Sequence, residues 1–341
     1  YHQPARGPPR KGVMSLSQKL ASGTGLSADK LFRAGLTAAL IAAAALALSV
    51  AGTLLFTSLP LWGQQSPLTF LTEQNWLTGV AQADGSTLDV YGAASMIYGT
   101  IATGIIAIVI AAPIGIAAAI YLVELAPQRL SATLAFIVEL IAAIPSVVIG
   151  LWAVGDLSLR IRDSIEWWIA SSIGKVIPLF SEDPTSPASD SIFRAGFVLA
   201  IMILPMVVAV SREVIRSVPV SLREGYIGMG ATRWETIRDI ILPAARVGLV
   251  GGVLLALGRA LGETIAVTMV IGNADAIPGS LFLPGQTIAS KIANTFGEAS
   301  GPIQYAALAA LGLCLYLVSL GLSVAVRMIA RRSVMSAKAK R

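Results

Sequence analysis

One arginine and two glutamates stand inside long apolar stretches of the sequence, and these are the side chains whose types and positions could do chemistry. Gly258-Arg259-Ala260-Leu261-Gly262-Glu263 interrupts one apolar run, and Glu139 lies in another. An ionisable residue at the centre of a bilayer costs about 2.5 to 3.5 kcal/mol on insertion scales, so it normally faces protein or a water-filled path and marks function. Arg259 and Glu263 are i and i+4, on one face of a helix and able to pair. Arginine suits a tetrahedral oxyanion because it stays charged and presents a planar fork of donors. Two readings follow: an anion path in which Glu263 holds Arg259 neutral until substrate arrives, or a structural ion pair that makes both residues insertable. Glu139 admits the same two readings. Ser146 follows Ile144-Pro145, where proline breaks the backbone hydrogen bonding, a break tolerated where the chain is buried or lines a cavity. No histidine or lysine identifiable from sequence stands near Ser146 as a base, which argues against an intramembrane hydrolase.

Other chemistries are absent by residue type. The lone histidine, His2, and the lone cysteine, Cys314, leave no material for a His/Cys metal site, a Ser-His-Asp triad or a disulfide framework. No G-x-x-x-x-G-K-[ST] phosphate loop occurs, so the chain supplies no ATP hydrolysis of its own, and no cofactor is expected.

The elements that must position these residues are transmembrane helices. Of the 341 residues 55% are hydrophobic and 13% charged, with a mean hydropathy of +0.76, against about 25% charged in soluble domains. Six stretches reach the roughly 20 apolar residues that a spanning helix needs: 34–61, 93–123, 130–154, 193–210, 247–271 and 303–326. They are too long and unbroken for barrel strands, and the first is too long for a cleaved signal, so an all-α, six-span protein is expected. Nineteen of the 25 Lys and Arg residues fall in the N-terminal tail, the turn after span two, the loop 211–246 and the C-terminal tail. The positive-inside rule then places both termini in the cytoplasm and assigns the basic excess to orientation rather than to nucleic acid. The expected organisation is a basic tail 1–33, a permease domain 34–326 and a basic tail 327–341. Its outer loops are 62–92, 155–192 and 272–302. Trp62, Phe70 and Trp76 in the first outer loop read as interfacial aromatics. In the second, Ile161, Ile165, Trp168, Ile169 and Ile173 draw one apolar face, expected on a short helix lying on the outer membrane surface and closed by the acidic, Pro-rich stretch 181–190.

The loop 211–246 contains Arg223-Glu224-Gly225-Tyr226-Ile227-Gly228-Met229-Gly230-Ala231-Thr232-Arg233, bracketed by Pro219 and Pro243. Helical flanks around glycines suggest a helix, a tight turn and a second short helix. Glu224, Gly230 six residues on, then Ile240, Leu242 and Pro243 resemble the EAA signature of ABC-importer permeases, with Gly225-Tyr226 where many members have two alanines. The resemblance implies a coupling helix seated on a separate ATPase subunit, involving Glu224, Gly225, Gly228, Gly230, Ala231, Arg233, Leu242 and Pro243.

A second likeness covers about Thr69 to Arg327. Phe70-Leu71-Thr72 with Trp76, Tyr98-Gly99-Thr100, Ala112-Pro113-Ile114-Gly115, the run 142–152, Gly258 through Thr264 and Ile271-Gly272-Asn273 resemble the C-type permeases of phosphate-specific ABC importers. That family implies a bacterial plasma-membrane protein, paired in the bilayer with a related A-type permease, above a dimer of ATPase subunits and fed by an extracytoplasmic phosphate-binding protein. It implies a phosphate path near Arg259, Glu263, Glu139 and Ser146. One arginine against two carboxylates sums to a negative mid-membrane charge, so a partner's arginine or a protonated carboxylate is expected. A sulfate or molybdate permease and a secondary carrier without an ATPase are the competing readings.

Overall fold

A computed structural model describes residues 16–81, 87–181 and 190–339. The stretch 182–189, most of the acidic segment expected to close the second outer loop, lies outside them, as do the first fifteen residues of the basic tail. Two units divide the chain, one ending at Thr53 and the other beginning at Leu54. Helix α1 (Leu16–Trp62) begins in the first, and its side chains from Lys30 to Val50 are exposed within the chain.

The second unit continues with α2 (Pro67–Thr72), the antiparallel strands β1 (Trp76–Ala81) and β2 (Thr87–Tyr91), and α3 (Ala94–Ile120), which ends in a π-helical turn, Tyr121–Leu125. Then come α4 (Gln128–Ala142), α5 (Ser146–Trp152), α6 (Ser158–Arg160), α7 (Trp167–Ser172) and α8 (Ile192–Arg216). The chain finishes with α9 (Val220–Gly228), α10 (Arg233–Thr236), a π-helical turn Ile237–Ile241, α11 (Leu242–Leu261), α12 (Ile265–Val270), α13 (Ile288–Phe296) and α14 (Pro302–Ala339).

Among the described residues five helices are long and apolar enough to cross a membrane, and six if the bent pair Gln128–Ala142 with Ser146–Ser172 counts as one span. The all-α reading therefore holds, apart from the small hairpin. The span expected at 130–154 is this bent pair, and the break expected at Pro145 is an 89° turn between its two helices, where proline's ring and missing N–H interrupt the helical hydrogen bonding.

Helix α8 is the centre of the bundle, with 72% of its apolar window buried. Glycines on its neighbours make room for it, as small residues do between membrane helices. Gly248 and Gly252 of α11 lie against Val214 and Val210 of α8, and Gly115 of α3 against Val207. The first two contacts run in opposite sense along the two helices, so α8 and α11 are antiparallel neighbours. Their register sets the height of every charged residue discussed below.

Two expectations about loops need correction. Phe70 and Trp76 are not interfacial: they are 0% and 7% exposed, and Trp62 is half-buried. Trp62 meets Phe70 edge to face at 5.6 Å, and Trp76 meets Tyr91 of β2 at 4.9 Å. Lys291 of α13 lies over Trp76, 5.3 Å from the ring, and pairs with Asp275 at 2.7 Å. The hairpin thus folds these aromatics inward, a pairing that periodicity along one segment does not reveal.

The helical stretch 158–172 does not lie free on a surface. Ile161 is buried and Ile165 and Ile169 pack on the core beneath α8. Glu166 is buried too, clamped by Arg194, whose Nε donates to both carboxylate oxygens at 3.0 and 3.1 Å and whose Nη2 donates at 2.9 Å. Ser191, the α8 N-cap, donates its hydroxyl to the same carboxylate at 2.8 Å. Of the expected apolar face, Ile161, Ile165 and Ile169 turn to protein, while Trp168 and Ile173 are exposed, as is Trp167.

Candidate functional site

Arg259 sits in the last turn of α11, which ends at Leu261 with Gly262 as its C-cap. Glu263 lies past that end, its backbone N–H donating to the Ala260 carbonyl, and α12 starts only at Ile265. The i, i+4 geometry expected for Arg259 and Glu263 needs an unbroken helix, and here the helix stops between them. They form no ion pair with each other. Arg259 is exposed and Glu263 half-buried, and neither side chain has a hydrogen-bond or ion-pair partner among the described residues. The pair therefore does not neutralise itself.

Glu139 does have a partner. Arg212 of α8, its side chain 12% exposed, donates from Nη2 to Glu139 Oε1 at 3.1 Å, while Glu139 remains 58% exposed. Val210 faces Gly252, Arg212 is two residues beyond Val210 and Arg259 seven beyond Gly252. On antiparallel helices at 1.5 Å per residue, Arg212 and Arg259 are about 13 Å apart along the axis. Glu139 therefore does not share the depth of Arg259, because α4 joins its continuation at 89° and counting residues along α4 does not measure depth. Arg212 is shared between two carboxylates, its Nε lying 3.8 Å from Glu213 Oε1.

Ser146 opens α5 and is half-buried. Four residues on, Gly150 touches α12, where an added Cβ would fall 2.9 Å from Ala266 Cα and 3.0 Å from Met269 Sδ. Ser146 and Glu263 each lie about one helical turn from this contact. The bundle is interrupted at Pro145 and again at Gly262–Thr264, the latter just past Arg259. Such breaks in apolar spans occur where the backbone is buried or lines a cavity.

The loop after α8 folds as the glycine pattern suggests. α9 ends at Gly228, Gly230 takes φ +93°, and Thr232 caps α10 reciprocally with Glu235. The Thr232 backbone N–H and hydroxyl hold the Glu235 carboxyl below its ordinary pKa. Glu224, Gly225, Gly228, Gly230, Arg233 and Pro243 are exposed, whereas Ala231 and Leu242 are half-buried. Met229 is 77% and Trp234 64% exposed, an apolar surface at the tip of a polar loop. A cavity of about 270 Å³ beneath it is lined by Glu124, Val220, Arg223, Glu224, Ile227, Arg233, Thr236 and Ile237.

Apolar spans, some of them interrupted, with a folded polar loop between two of them define a polytopic membrane protein. Residues 111–334 match the family described as binding-protein-dependent transport system inner membrane component. Phosphate transport system permease protein PstC of Mesorhizobium japonicum is 41% identical over 251 residues, 74% of each chain. PstC of Haemophilus influenzae is 44% identical over 229 residues, 67% of this chain and 72% of that one. A crystal structure of a bacterial ABC transporter involved in alginate import aligns at 19% identity with a TM-score of 0.49, over 70% of this chain and 78% of that one. The chain belongs to this family of inner-membrane transport components, alongside the PstC proteins, and is a multi-pass protein of the bacterial plasma membrane.

Proposed function

We propose that the chain is one permease half of an ATP-driven importer and forms part of the path for inorganic phosphate. The observation that carries this reading is Arg259, an exposed arginine in the last turn of an apolar span, with no carboxylate partner among the described residues and the helix break at Gly262–Thr264 just past it. A permanently charged planar donor in such a setting matches a phosphate oxyanion. The names of the PstC relatives support the choice of phosphate over other oxyanions.

In this reading both termini and the loop 211–246 are cytoplasmic, the latter seated on a separate ATPase dimer through the region from Glu224 to Arg233. The hairpin end receives phosphate from an extracytoplasmic binding protein. A related A-type permease covers the face on which Arg259 is exposed. Glu263 and Ser146 line the path near Arg259, and Glu139 lines it about 13 Å nearer the loop. The test is uptake by proteoliposomes containing the complete complex: ATP-dependent accumulation of phosphate but not sulfate is expected. Equal uptake of both anions, or uptake without ATPase subunits, would overturn it.

A further inference from the structure

Helix α9 has little to hold it. None of its residues is buried, and of its nine only Arg223 and Tyr226, three apart and so on one face, are as much as half-buried. Both reach polar partners in other elements. Arg223 Nη1 pairs with Glu124 Oε1 at 2.8 Å, and Nη2 donates to the Ile215 carbonyl at 2.5 Å. Glu124 belongs to the π-helical turn that ends α3, and Ile215 to the last turn of α8. Tyr226 donates its hydroxyl to Asp239 at 3.4 Å, in the π-helical turn that leads into α11. One face of α9 is thus tied to the ends of three membrane helices, while Val220, Leu222, Ile227 and Met229 stay exposed for a partner.

We propose that Arg223 is the residue that transmits movement of the docking loop into the bundle, with Tyr226 as a second tie toward α11. This rests on the reading of the loop as the ATPase-docking element. A docking helix that is displaced moves the spans only if a stiff link joins them. The main chain links α9 to α8 through Ser217–Pro219 and to α11 through α10 and the π-helical turn, but it does not link α9 to α3. The Arg223 fork holds α3 and α8 together with α9 at a site where both members of the ion pair are about one-sixth exposed, 16% and 15%. The contact with Glu124 is an ion pair, and the hydrogen bond from Nη2 to the Ile215 carbonyl is charge-assisted, a class of bond stronger than neutral ones. The ties are positioning contacts and touch neither phosphate nor nucleotide.

The test uses the full complex in proteoliposomes and reads phosphate imported per ATP hydrolysed. Arg223→Gln should leave the ATPase subunits bound and hydrolysing while this ratio falls about tenfold, the scale set by losing a charge-assisted hydrogen bond. Arg223→Lys keeps the charge but not the fork, and should give an intermediate ratio. The exchange Arg223→Glu with Glu124→Arg should recover more of the ratio than either single variant. A wild-type ratio in Arg223→Gln, or an exchange no better than the single variants, overturns the tie. Gly230→Asp separates the two levels: if it leaves ATPase binding and transport intact, the docking reading itself fails, whereas loss of binding in Gly230→Asp beside normal coupling in Arg223→Gln overturns the tie alone.

Discussion

Replacing Glu166 by Gln should destabilise the protein far more than the change of one atom suggests. Arg194 is 2% exposed and receives from Glu166 a carboxylate that accepts three of its hydrogen bonds. Gln retains one acceptor oxygen but removes the negative charge, and its amide nitrogen turns a donor toward either the guanidinium or the Ser191 hydroxyl. Breaking a buried pair from one side costs about 3–5 kcal/mol, because the remaining charge stays desolvated. For a chain of this length that is a fall in melting temperature of about 6–10 °C, at roughly 2 °C per kcal/mol. Removing both charges, as Arg194→Met with Glu166→Leu, takes away this ion pair as a whole and should cost less than the single change. Thermal unfolding of the purified complex in detergent, followed by intrinsic tryptophan fluorescence, measures both. A Glu166→Gln protein melting within about 2 °C of wild type, or a double variant less stable than the single, refutes the reasoning.

Arg259→Gln should reduce phosphate uptake to background while the complex still co-purifies. Glu263→Gln should also assemble normally, since the two residues form no ion pair, and alter transport alone; loss of assembly would restore a structural role. Gly230→Asp forces a side chain onto a φ of +93° at a cost of about 1–2 kcal/mol, and should weaken co-purification of the ATPase subunits. The turn should also respond to acid. Glu235 is held below its ordinary pKa in the folded loop, so its contribution is complete above the unfolded value near 4.3 and is lost as pH falls through the folded value. In a protein whose only tryptophan is Trp234, fluorescence should hold constant as pH falls to the ordinary glutamate range and change only below it. Glu235→Gln should abolish that change.

What could be read from the sequence was whatever depends on neighbours along the chain. Apolar runs near 20 residues gave the spans, Pro145 gave a break, and Gly228 with Gly230 gave the turn between α9 and α10. What could not be read were pairings between distant segments. Arg212 meets Glu139 across 73 positions and Arg194 meets Glu166 across 28, and nothing local marks either. Arg212 was assigned to a loop because hydropathy fades at Val210, although α8 continues to Arg216. The Arg259–Glu263 spacing misled for a different reason. Gly262, which permits close approach, also ends the helix, and the i, i+4 rule presumes a helix that does not end. The aromatics of the first loop were misread because an exposed belt and a buried hairpin use the same side chains.

The central burial of α8 partitions the freedom of the sequence to drift. A side chain of α8 must fit in volume against α3, α4 and α11 at once, so Val207, Val210 and Val214, each lying against a glycine, admit little enlargement. Within the same unit the apolar window of α14 is only 17% buried and must satisfy chiefly an average hydropathy. Substitutions should therefore accumulate freely among Ala, Leu, Ile and Val along α14 and slowly along α8. In a library of random variants selected for growth on limiting phosphate, α8 would be recognisable as the span with the fewest tolerated changes of size.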